Sequence, residues 1–277
     1  IDCDAVRGGW LQGLHARAAL PGAEARAAEA GARGWPVELL DAAAAERLTG
    51  SGDYAGGLLD RRGGTLNPLA YARGLARAAL DAGARLHGGS PALSMERRDG
   101  RWRLATPAGA VTAERVLLAT NGYSGGLWPE LRRAVIPAFS YQVATQPMGG
   151  NLRGRIMPGG LGLSDTRRLL SYCRQDAEGR LLVGGRGRFR ESRDRADYAP
   201  VIARLRRLFP EAAELPLAHV WGGKVALTLD SLPHVAEPAP GLTVAAGFNG
   251  RGVALTTAMG RAMADHLSGT PLAELPV

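Results

Sequence analysis

Between Gly241 and Leu267 the chain runs through an apolar strand, a tight turn holding Gly247, Gly250 and Gly252, and an amphipathic helix. Glycines packed this closely let backbone N–H groups approach a bound group, and the helix that follows turns its positive end toward the same point. A phosphate, or a ring edge gaining negative charge, suits such a corner. An ordinary strand-turn-helix corner, with glycine for geometry alone, uses the same letters. A second pair stands at Tyr172 and Arg174, alternate positions of one expected strand, so both side chains face one way and Cys173 the other. A phenol and a guanidinium converging on a cavity suit a carboxylate, the guanidinium forming a bidentate pair. An ion pair on an exposed sheet face is the other reading. Lys224 is the only lysine among 34 basic residues; it is either an amine kept for a task a guanidinium cannot perform or a surface lysine. His219 and His234 could move protons, but packing or surface roles suit them better.

These residues need elements to hold them. Residues 2–34, rich in Ala, Leu, Arg and Glu, read as two helices broken at Pro21-Gly22. A strand is expected over 36–40, a short helix begins at Asp41 as N-cap, and a strand follows over 56–60. Asn67-Pro68 caps and opens another helix ending near Gly83. Strands are expected over 92–97, 102–106 and around Val111, separated by turns at Asp99-Gly100 and Ala108-Gly109. The apolar run 116–119 predicts a strand covered on both faces. Residues 138–145, 169–174 and 180–185 read as an antiparallel sheet, and 200–209 as an amphipathic helix facing inward through Val201, Leu205 and Leu208.

The order of letters also resembles a family. Gly247-Phe-Asn-Gly-Arg-Gly-Val253 is similar to the carboxy-terminal flavin motif of the FAD-dependent amine and D-amino-acid oxidases, with the gamma-glutamylputrescine oxidase-like branch nearest. Four further stretches follow in register with the family: Gly64 to Ala79, Arg115 to Tyr123, the strands from Ser140 to Arg186, and Trp221 to His234. The resemblance implies a two-domain α/β (α+β) architecture, with part of a glutathione-reductase-like dinucleotide domain binding FAD and an antiparallel-sheet substrate domain. On that pattern 1–62 and 131–222 belong to the substrate domain, and 63–130 and 223–277 to the FAD domain. The family's opening Gly-x-Gly-x-x-Gly turn has no counterpart here, so the chain reads as an amino-terminally truncated piece.

The resemblance implies FAD contacts at Gly247, Phe248, Asn249, Gly250, Arg251, Gly252 and Val253, at Ala92, and at Thr120, Asn121 and Gly122. Arg251 stands where the branch often has His; its cation either supports the reduced flavin or points to solvent. Lys224, Tyr172 and Arg174 are the residues expected at the reaction, Lys224 to stabilise superoxide near flavin N5 or bind an anionic substrate end. Val225 aligns with the arginine that grips the substrate carboxylate in the amino-acid oxidase branches, which argues against a simple alpha-amino acid. The implied reaction oxidises a primary or secondary amine to an imine, with oxygen or an electron carrier reoxidising the flavin. A gamma-glutamylated polyamine is the first expected substrate, placing the protein in polyamine catabolism, and a sarcosine-like N-methyl amino acid is the second. The alternative is a non-catalytic binding or assembly protein that has lost the FAD diphosphate site.

Composition narrows the classes. The formal charge of +8 invites nucleic acid, but the arginines are scattered among acids without a basic stripe or interleaved aromatics, so no nucleic-acid partner is expected. No apolar run approaches the roughly 20 residues of a membrane span. Cys3 and Cys173 show no metal-ligand spacing; no metal is expected, and a reduced cytoplasmic setting fits.

Overall fold

In the computed structural model, which describes residues 1–276, the first stretch of chain builds β1 (Trp10–Gly13), α1 (Leu20–Ala32), β2 (Val37–Asp41), α2 (Ala42–Thr49), β3 (Gly56–Asp60) and α3 (Pro68–Asp81). Asp41 accepts from the Ala44 N–H at 2.7 Å and Asn67 from the Ala70 N–H at 3.2 Å, so α2 and α3 start where the sequence puts their caps. Each cap is worth about 1 kcal/mol. The reading of 2–34 as two helices is corrected: β1 occupies part of it, and Pro21 sits in the first turn of α1, where its missing N–H costs nothing. Four residues of strand carry too short an alternation to register in an alanine-rich background.

Next come β4 (Ser94–Arg98), β5 (Arg101–Thr106), β6 (Gly109–Ala113), β7 (Val116–Leu118) and α4 (Pro129–Ala134). Asp99 and Gly100 both adopt positive φ, the requirement of the tight hairpin expected there. The chain continues through β8 (Ile136–Thr145), α5 (Gly150–Arg155), β9 (Gly162–Asp165), β10 (Ser171–Gln175), β11 (Leu181–Arg186), α6 (Ala199–Leu208) and β12 (Leu217–Leu227). It closes with β13 (His234–Ala239), β14 (Leu242–Ala246) and α7 (Gly252–Leu267).

Packing divides the chain into two units, one of Ile1–Ala84 with Ser140–Gly223, the other of Arg85–Phe139 with the residues from Lys224 onward. The breaks between these units fall after 84, 139 and 223. α3 sits in the first unit because its Gly74 lies against the Ile1 side chain, Asn67 N–H donates to Cys3 O, and Val6 bridges Thr65. Contacts so distant in sequence leave no local trace.

The first unit is built on an eight-stranded sheet in the order β12-β8-β11-β10-β9-β1-β3-β2. It is mixed rather than purely antiparallel, since β1 runs parallel to β9. Its register separates two faces. One cross-strand row, Leu59, Leu11, Leu163, Cys173, Val183 and Val143, is buried throughout, and α6 packs on that face through Val201. The neighbouring row on the opposite face reads Leu58, Gln12, Ser164, Tyr172, Gly184 and Gln142, polar in four of six positions.

The second unit holds two three-stranded sheets, β13-β14-β7 and β4-β5-β6. β14 pairs parallel with β7 and antiparallel with β13. Val116 and Leu118 join Trp102, Leu131 and Val244 in one core, while Leu117 packs on the other side against the cluster of Phe248, Met259 and Met263. β7 is thus covered on both faces, as its unbroken apolar run requires.

Candidate functional site

β14 ends at Ala246, and the chain must then turn sharply to enter α7. Gly247 and Gly250 take positive φ, and so does Asn249 at 52°, a conformation that asparagine tolerates better than most residues. Asn249 ties the turn together. Its N–H donates to Ala226 O at 3.1 Å, its Oδ1 accepts from the Thr228 N–H at 2.9 Å, and its Nδ2 donates to Thr228 Oγ1 and to Gly247 O. The Gly247 N–H in turn donates to Asn121 Oδ1 at 3.2 Å. The end of β7, the end of β12 and the turn before α7 therefore converge through amide groups.

α7 runs for 16 residues, with no side chain capping its start and no acid in its first turn. Among the described residues, no acceptor meets the N–H groups of Gly250, Gly252 and Val253. Val253 is exposed and the space beside Gly250 is open. Unmet N–H groups and the helix dipole together present positive potential at one exposed spot.

Lys224 stands at the edge of this cluster. Its backbone N–H donates to Tyr123 OH at 3.1 Å, and Gly122 lies so close to it that a Cβ there would meet the Lys224 carbonyl carbon at 3.0 Å, a tight contact. The Lys224 ammonium sits 5.3 Å from the Tyr123 ring centroid and 5.6 Å from that of Phe139, within cation–π range. The structure thus brings Asn121, Gly122, Lys224, Gly247, Asn249 and Gly250 together. Phe248 anchors the turn in the core, and Arg251 is exposed at the helix start. Thr120 bonds Ser124 through its hydroxyl and is exposed. Ala92 lies in exposed chain just before β4. Thr228 and Tyr123, which organise the corner, were missed; only the Asn-Gly step at 249–250 hinted that a side chain must brace the turn.

Tyr172 and Arg174 belong to the first unit. Tyr172 lies flat across Gly184, where even a Cβ would meet its ring at 2.0 Å, and its hydroxyl bonds Ser140 Oγ and Gly185 O. Burial pushes the phenol up from its ordinary range, while the Ser140 bond works the other way. Arg174 faces the same side, as the strand period demands. Among the described residues its guanidinium donates to the adjacent Gln175 O at 3.3 Å, and no carboxylate forms an ion pair with it. Burial draws its guanidinium below the ordinary range, with Asp176 and Asp4 opposing. A desolvated guanidinium without an acid partner is poised for an anionic group.

Val225 follows Lys224 in β12, half-buried, and leaves no guanidinium at that position. His219 lies in the same strand, and exposed His234 bonds Asp230 at 3.1 Å, so neither joins the amide cluster. Among the described residues no group of His, Cys, Asp and Glu could hold a metal ion, and no helix is long and apolar enough to cross a membrane.

A family model described as FAD dependent oxidoreductase matches residues 1–266. A probable oxidoreductase of Rhizobium meliloti is 34% identical over 236 residues, covering 85% of this chain and 55% of the relative. The gamma-glutamylputrescine oxidoreductase of Escherichia coli is 32% identical over 235 residues, covering 84% and 55%. The chain spans about half the length of the curated relatives it matches. Among solved structures, glycine oxidase from Geobacillus kaustophilus superposes with a TM-score of 0.85 over 99% of this chain and 74% of that one; at 21% identity this is a likeness of fold.

Proposed function

This chain belongs to the FAD dependent oxidoreductase family, and from that premise we propose that it oxidises a primary or secondary amine to an imine, which water hydrolyses to an aldehyde or ketone. The observation that carries the reading is the corner at 247–253, with N–H groups unmet at the start of α7 and two asparagines holding its shape. That donor set fits a flavin edge, because it offers neutral hydrogen bonds and dipole to a ring that gains negative charge. When bound, FAD supplies the two-electron acceptor for the amine carbon.

The remaining roles belong to the chain's own side chains. Gly250, Gly252 and Val253 donate through the backbone, while Asn121 and Asn249 fix the turn. Phe248 holds the turn to the core and Arg251 adds positive charge at its rim. Ala92, Thr120 and Gly122 are further cofactor contacts, supported by the resemblance in sequence. Lys224 keeps an ammonium between two aromatic rings for the oxygen step or an anionic substrate end. Tyr172 and Arg174 orient the substrate, Arg174 through a carboxylate. The second unit is the cofactor domain and the first the substrate domain, in a cytoplasmic enzyme of polyamine breakdown. A gamma-glutamylated polyamine is the first substrate and a sarcosine-like amine the second, because Val225 removes the guanidinium that a simple alpha-amino acid would need.

The test is spectroscopic. Intact protein should be yellow, lose its visible flavin band on anaerobic addition of gamma-glutamylputrescine, and release hydrogen peroxide when air returns. Bleaching without oxygen consumption would shift the acceptor to an electron carrier. A colourless, stably folded protein would sink the enzyme reading in favour of a binding or assembly role.

A further inference from the structure

The face of the eight-stranded sheet opposite α6 carries a polar row of which the proposed reaction uses only Tyr172. Gln12, Ser164, Tyr172 and Gln142 occupy one row across β1, β9, β10 and β8, with Gly184 of β11 between the last two. Tyr172 lies over Gly184 and reaches Ser140, so its ring leans away from Ser164 and Gln12. Those two side chains are half-buried, and among the described residues neither has a hydrogen-bond partner. Gln12 Oε1 is sealed from solvent and unbonded. The other sealed and unbonded atoms differ in kind: Tyr54 OH belongs to a ring packed on Gly13 at the buried face, and Arg180 Nε to a guanidinium already paired with Asp176 and Glu178.

A sheet face with only its packing to consider would place apolar residues here, as the buried row one residue away does. An amide held in the sheet with its oxygen unpaired demands a donor, and a buried polar group left without one is costly. Arg174 stands on the same face, two strands across and two residues along from Gln12. Strand spacing and rise put their Cα atoms about 12 Å apart. Two long side chains bridge part of that distance, and the remainder matches a short, linear ligand.

We propose that Gln12 and Ser164 form a binding strip for a neutral amide group carried by the substrate, with Arg174 taking a carboxylate at the other end, and that Gln12 is the specificity-determining residue of this face. The inference rests on reading this face as the substrate side. Once the Gln12 side chain turns toward the ligand, an amide matches both of its polar atoms, donating to Oε1 and accepting from Nε2. The Ser164 hydroxyl, one strand away, supplies either role. A simple hydrocarbon arm would leave Gln12 Oε1 unpaired, so the strip discriminates between chains of equal length by their polarity.

Calorimetry on the intact protein tests this without turnover. The probes are glutaramate, which carries a carboxylate and an amide, and pentanoate, which carries the carboxylate alone. Wild type should bind glutaramate about tenfold more tightly, the factor expected for one good hydrogen bond to a buried partner. Gln12→Leu should abolish that preference and leave pentanoate affinity within about twofold, whereas Arg174→Met should weaken both probes. Ser164→Ala should remove part of the preference. Gln12→Met, close to Gln in volume, gives the same reading should the leucine variant fail to fold. Equal binding of the two probes by wild type would overturn the proposal, as would equal loss of both in the Gln12 variants. Failure of amines to bleach the flavin would defeat the proposed reaction and leave this binding comparison intact.

Discussion

The two units satisfy their polar groups in opposite ways. In the first, buried charges close on one another. Asp165, whose side chain is fully buried, pairs with Arg167 at 2.7 Å and accepts from the Ser171 N–H; Arg167 also pairs with Asp53, which in turn takes Arg207. Asp197 likewise gathers Arg190, Arg188 and the Arg193 N–H. In the second unit the organising groups are neutral amides, Asn121 and Asn249, and the N–H groups beside them stay open. Charge networks complete within the chain belong to a scaffold. Donors held in place without acceptors belong to a site, whose stability should depend on what binds there.

The largest effect should come from breaking the closed network. Asp165→Ala strands Arg167 beside a single remaining acid and frees two backbone N–H groups, so it should destabilise the first unit by about 3–5 kcal/mol in urea denaturation. A loss below about 1 kcal/mol would mean that this network is not what holds the β9–β10 connection. FAD supplies the converse test. At a hundredfold excess over its dissociation constant it should add about 2.7 kcal/mol, read as slower hydrogen exchange at 120–124, 224–228 and 247–253. Protection spread evenly over both units would erase the distinction.

A smaller effect isolates the corner's own brace. Asn249→Ala loses the bonds to Thr228 and puts a less tolerant residue at positive φ, for an expected cost of about 2 kcal/mol together with weaker flavin retention. Asn249→Gly keeps the backbone conformation and loses only the bonds. Were the glycine variant to match wild type in flavin affinity, the asparagine would be there for conformation alone.

The sequence was legible where one residue acts on its near neighbours. Asp41, Asn67 and Asp99-Gly100 announce their caps and turn because capping and positive φ are settled within three or four residues. The strand, glycine turn and helix of the corner were legible for the same reason, whereas Thr228 and Tyr123, which brace it from elsewhere in the chain, were not. What escaped depends on partners far along the chain. α3 joins the first unit through Ile1 and Cys3, and β1 exists because β3 and β9 flank it. The role of Gln12 emerges only when five strands are set in register, since nothing in Trp-Leu-Gln-Gly distinguishes an unpaired amide from a solvated one.

Acid should distinguish the two modes of organisation more finely. The Arg193 N–H and the Arg190 guanidinium hold the Asp197 carboxyl below its ordinary range. A carboxyl depressed in the folded state contributes its stabilisation fully above the ordinary value, about 3.9, and loses it as the pH falls through the lower folded value. Residues 187–194, where Phe189 is 75% exposed, should therefore resist limited proteolysis at neutral pH and become sensitive only as the pH drops below the carboxylate range. Asp197→Asn should make the same bonds susceptible at every pH. The amide ties of Asn121 and Asn249 carry no titrating group. Asp230, two residues beyond the Thr228 that Asn249 binds, is held down to about 2 by the Leu232 N–H, His234 and Thr228. Amide resonances of Gly247 and Asn249 should then stay fixed while those of 188–193 move, and a common acid transition in both would mean that the corner leans on charge after all.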